Sequence, residues 1–177
     1  MILKIFKEKS NQKYINKLLN TRQVAVSNNK ISSVGIVLNL SEFSDFESFR
    51  LFFKRLDVQQ ARTKIIAFVE DPKDSNELWD TYFNPKDFGW NGKINNIDLQ
   101  IFVDTKFDVL ISYHKESHLE LNLITASSKA NFKVGLTNED ERLYDLIIDV
   151  KPKEFSIFKD ELKKYLTVFF KGIKLAN

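Results

Sequence analysis

The chain has 177 residues, enough for one domain that buries roughly 70% of the surface its unfolded form exposes, and too few for two. Its 43% apolar content, with 16 Phe against 5 Gly and 3 Pro, excludes a disordered or fibrous polymer and calls for long elements packed on aromatic rings. There is no cysteine, which excludes disulfides, thiolate nucleophiles and Cys-based zinc sites, and a net charge of +3 is too small to argue for a specific nucleic-acid partner.

The positive charge is uneven. Residues 1–30 carry seven Lys/Arg against one Glu, so the basic character is N-terminal and the body is slightly acidic. No apolar run reaches the length of a signal or transmembrane segment, which predicts a cytoplasmic protein without a transmembrane segment. Residues 11–22 place Tyr14, Ile15, Leu18 and Leu19 on one helical face. We therefore read 1–22 as a basic amphipathic segment and 23–177 as a single α/β domain.

Ser33–Leu40 is a continuous apolar run ending in a turn-forming Asn, as expected of a strand covered on both faces. Ser44 and Glu47 then stand in capping-box spacing, and Phe46, Phe49, Phe53 and Leu56 recur at helical intervals. Ile65–Val69 is a second inner strand, with Glu70 and Asp71 at its C-terminal end, the edge where parallel sheets bind ligands. No glycine-rich turn precedes it, so no dinucleotide cofactor is expected, nor any other.

Residues 72–96 hold both tryptophans and the turn pairs Asn84-Pro85 and Asn91-Gly92, reading as an irregular aromatic loop. In its functional version Trp90 is a stacking face, with Lys86 and Asp87 as polar contacts. Ile97–Val103 is ambiguous between helix and strand, with a helix favoured because the next run needs a crossover.

The stretch from Phe107 to Val150 is the best specified. Val109–Ile111 is a buried strand, Ser117 and Glu120 form a second capping box ahead of a helix through Leu123 and Ile124, and Phe132–Leu136 is another strand. Tyr144–Asp149 is a last strand, either antiparallel to its neighbour or parallel through a brief crossover turn. Pro152 opens a helix with an apolar stripe from Phe158 to Ile173. The fold predicted is a three-layer Rossmann-like α/β domain, a mainly parallel sheet of about five strands with helices on both faces.

The chain has two imidazoles, His114 and His118, spaced i, i+4 but straddling a helix start, which argues against a shared metal. The strand edge with Ser112, His114 and Ser117, beside the free N–H groups of a helix start, forms a candidate anion pocket, with Lys115 and His118 as supporting cations. Asp71, Asp104 and Asp149 sit where strand ends are expected, without forming a catalytic set. The candidate ligand-binding residues are thus Lys86, Asp87, Trp90, Ser112, His114 and Ser117.

Phe107–Gly135 resembles the strand, helix, K-[VR]-G pattern in the N-terminal half of heptosyltransferase-like glycosyltransferases, which implies a Rossmann-like fold. Through FNPKDFGW at Phe83–Trp90, FVDTKFDVLISY at Phe102–Tyr113 and the blocks KVGL and DERLYDLIID within Lys133–Asp149, the chain resembles a family of small bacterial proteins of unknown function. The function expected is a non-catalytic binding or interaction module for an unknown protein or small-molecule partner, with an apolar surplus near Phe169 and Phe170 available for a homodimer. The alternative is an enzyme or sensor binding a phosphorylated or nucleotide-like small molecule at the C-terminal edge of the sheet.

Overall fold

The apolar run after Ser33 becomes the centre of the sheet. In the computed structural model, which describes residues 1–24, 30–71, 73 and 81–173, β1 (Val34–Asn39) is buried at every position. It pairs in parallel with β2 (Thr63–Phe68) on one side and β4 (Val109–Tyr113) on the other, Ile36 lying opposite both Ile65 and Ile111. β3 (Thr81–Phe83), β5 (Phe132–Gly135) and β6 (Leu146–Ile147) complete a six-stranded, all-parallel sheet of order β3-β2-β1-β4-β5-β6. This is the strand order of doubly wound, Rossmann-like folds.

Successive side chains of a strand point to opposite faces, and the helices divide between those faces accordingly. Ile36 and Leu38 share a core with α2 (Phe46–Arg55) and α5 (Phe155–Phe169), built on Phe49, Phe53, Phe158 and Leu162. Val37 and Leu110 share the opposite core with α1 (Ile2–Thr21), α3 (Ile97–Asp104) and α4 (Leu119–Ser127), through Ile15, Leu99, Phe102 and Leu123. Two covered faces explain why β1 and β4 read as unbroken apolar runs rather than alternating ones.

The expected three-layer α/β fold with a mainly parallel sheet of about five strands is present, with six strands, and some details are corrected. β3 lies inside the stretch taken as irregular, because three residues beside turn chemistry carry no periodicity; the 74–80 part of that aromatic stretch lies outside the described residues. Of the two arrangements expected for the final strand pair, the parallel one with a brief crossover is the one present, through a 3-10 turn at Glu141–Leu143. The first helix begins at Ile2 instead of residue 11. Neither serine caps as its spacing suggested: Asp45 caps α2 by accepting from Ser48 N, and His118 stands at the cap of α4 without a side-chain bond.

Candidate functional site

A ligand seat in such a sheet is fixed by topology. β1 leads into α2 on one face and β4 leads into α4 on the other, so the loops leaving these neighbouring strands diverge and open a crevice at their C-terminal ends. A cavity of about 280 Å³ lies there, lined by Asn39, Ser41, Phe68, Glu70, Glu116 and His118 among others.

Asn39 ends β1 and is 3% exposed. Its Oδ1 accepts from Ser41 N at 3.2 Å and Ser41 Oγ at 2.8 Å, whereas its Nδ2 has no hydrogen-bond partner among the described residues. A buried donor left unmade costs about 1–3 kcal/mol, so this amide, enclosed in a residue that lines the cavity at the switch point, is a donor that a small side-chain shift would offer to a ligand acceptor or a water. From β2 come Phe68 and the exposed Glu70. The His118 ring lies against Phe68 at 4.9 Å between centroids, with its Nε2 3.9 Å from Glu116 Oε2.

Two carboxylates against one imidazole give this crevice a negative rim. Two backbone amides of the turn between β4 and α4 are already occupied. Glu42, in the loop after β1, accepts from Lys115 N at 2.9 and 3.1 Å and from Glu116 N at 3.1 Å. The Lys115 ammonium is turned to the Leu136 carbonyl, 2.9 Å away, and to Asp149. An internal carboxylate thus takes amides just ahead of the α4 N-terminus and adds negative charge where a phosphate would approach.

The six predicted site residues separate into two groups. Ser112 is buried in β4 and bonded to Thr125 Oγ1 at 2.7 Å. His114 is buried behind the turn, where Nδ1 donates to the Glu116 carbonyl at 3.0 Å and Nε2 is unpartnered; burial lowers its pKa to about 4, leaving it neutral. Ser117 is exposed, its Oγ accepting from Asn122. Lys86, Asp87 and Trp90 lie in the other group, on the loop after β3. Asp87 closes a capping box with Asn84, and Lys86 and Trp90 are exposed. That loop is tied to α1 by Lys7 Nζ on the Phe88 carbonyl at 2.8 Å and by Asn11, which bridges Gly89 O and Gly92 N. None of the three lines the crevice.

The chain belongs to a family of unknown function, DUF6913. The family model matches residues 7–169, a span that includes all six strands, the crevice and the aromatic loop, and it brings no glycosyltransferase with it. No curated protein and no solved structure matches the chain.

Asn39 and Glu42 were not among the candidate residues. Asn39 was visible as the residue ending the first inner strand, but its place at a switch point depends on strand order. Glu42 reaches across 73 residues of sequence to the turn it holds, and no local pattern carries that. The carboxylates expected at strand ends have separate partners: Asp104 ends α3 and pairs with Lys129 at 2.6 Å, Asp149 pairs with Lys115, and Asp71 accepts from Lys73 N. Among the described residues no three His, Asp or Glu side chains gather as a metal set. A second cavity, of about 460 Å³, lies at the opposite edge beside Arg22, Asp104, Lys129 and Lys133. Its charged groups are already used, Arg22 by Asp145, Asp104 by Lys129, and Lys133 by the Thr125 and Ala126 carbonyls.

Proposed function

We propose that the protein is a non-catalytic binding module that holds a small, hydroxyl-rich, unphosphorylated molecule, of monosaccharide or nucleoside size, in the crevice between the ends of β1 and β4. The observation that carries the reading is the unpartnered Asn39 Nδ2, a residue lining a cavity at the switch point. Around it, Glu70 and Glu116 supply acceptors for hydroxyls, and Phe68 with His118 supplies an apolar wall. The volume of about 280 Å³ stands at the lower end of small-molecule pockets, which favours one sugar ring or one nucleoside over a dinucleotide. The carboxylate rim and the Glu42 plug both disfavour a phosphate. In this reading His114 and Ser117 support the β4–α4 turn, Ser112 anchors β4 to α4, and Lys86, Asp87 and Trp90 belong to a separate surface.

Thermal-shift titration with pentoses, hexoses and nucleosides, each beside its phosphorylated counterpart, tests this. At least one unphosphorylated compound should raise the melting temperature more than its phosphate ester does. Glu70→Gln and Asn39→Leu should each weaken that binding about tenfold, the scale of one or two lost hydrogen bonds. A larger shift with the phosphorylated series, or no shift with any compound, would sink the reading.

A further inference from the structure

α1 has two faces with different destinations. Asn11, Ile15 and Leu19 repeat every four residues and are the buried ones. On the far side, turned by about 150° at 100° per residue, Ile2, Phe6, Lys9 and Lys13 form one stripe at spacings of four, three and four, with Ile5 beside it. Ile2 is 71% and Phe6 56% exposed, an unusual outlay of apolar surface for one helix end. Behind this tip Lys9, Lys13 and Lys17 are exposed, and among the described residues no carboxylate lies within ion-pair distance of them. Glu8 is paired with Lys4, and Lys7 is bound to the body through Phe88.

We propose that this face of α1 docks the protein peripherally on an anionic lipid bilayer, with Ile2, Ile5 and Phe6 entering the headgroup boundary and Lys9, Lys13 and Lys17 meeting lipid phosphates. The pairing of a short apolar tip with a row of cations is the two-part signal that reversible interfacial binding needs. A second copy of the chain is a poor occupant, because a contact between two copies of this stripe would gather the lysines of both into one interface, where like charges repel. The face is a convex helix surface, which suits a deformable sheet of lipid. No described helix is long and apolar enough to cross a membrane, so the contact is one of surface. It is independent of the crevice; the apolar tip lies ahead of the family match, which begins at residue 7, and the three lysines lie within it.

The test is co-sedimentation of the full chain with phosphatidylcholine vesicles, with and without phosphatidylserine. The protein should pellet with the phosphatidylserine vesicles, stay in the supernatant with phosphatidylcholine alone, and be released by high salt. Ile2→Gln with Phe6→Gln, and separately Lys9→Gln with Lys13→Gln, should each lower the partition coefficient about tenfold or more with the melting temperature unchanged, since all four side chains are exposed. Failure to pellet with phosphatidylserine, or binding that neither variant weakens, would overturn the proposal. So would a dimer in lipid-free sedimentation velocity that Phe6→Gln abolishes, because the face would then belong to a second copy.

Discussion

His114 and Lys133 are both ionisable and both buried, neither is in an ion pair among the described residues, and burial acts on them in the same direction, outweighing the pull of Glu139 and Asp145. It depresses the imidazole to about 4 and the amine to about 7. For each, the unfolded chain binds a proton at a pH where the folded chain does not, so stability rises with pH between the two values and is lost as pH falls through the folded one. For His114 that window runs from the ordinary 6.5 down to about 4, and the cost across it is roughly 3 kcal/mol at 1.36 kcal/mol per unit. Urea unfolding as a function of pH should show an acid limb over this range, and His114→Gln should flatten it. For Lys133 the window lies between about 7 and 10.5. Wild-type stability should still climb from pH 7 toward 10, and Lys133→Met should remove that climb while leaving the acid limb in place. An unchanged slope in either variant would mean the group is hydrated or paired in solution.

Element scale shows how local chemistry and long-range contact share the work. Asp45 accepts from both N and Oγ of Ser48, so Asp45→Ala should cost about 1 kcal/mol of stability in denaturant unfolding. Gly135, in β5, has no left-handed backbone to excuse it. It is glycine because the Tyr144 ring lies against the strand, where an added Cβ would come within 2.5 Å of ring carbons. Gly135→Ala should therefore destabilise by about 1–3 kcal/mol through overpacking, measurable as a lower denaturant midpoint with no change in slope. The central strands and the helices that follow them were legible in the sequence because each carries its own signal, an apolar run for β1, β2 and β4 or a helical stripe for α2 and α5. β3 and β6 were harder, being three and two residues long and paired at the sheet edges by register alone. The serine caps were misread because capping spacing is a local rule, whereas the turn before α4 is held by Glu42, a distant side chain.

For the molecule as a whole, the candidate site follows from strand order, which no single stretch of sequence contains. Strands and helices could be read one by one, and Glu70 and His118 were noticed as polar groups near strand or helix ends, but nothing local says that β1 and β4 are neighbours with diverging loops. Once they are, Asn39, Glu70, Glu116 and His118 surround one cavity, while Trp90 and its loop belong with α1. That this crevice is a ligand seat can be checked by following the Asn39 side-chain amide by heteronuclear NMR during titration with the sugar or nucleoside that most raises the melting temperature. A ligand seated there should give saturable shifts in the Asn39 Nδ2 resonance, together with the backbone amides of Phe68 to Glu70 and Glu116 to His118. Shifts confined to the opposite edge around Lys129 and Lys133, or an Asn39 amide that never moves, would contradict it.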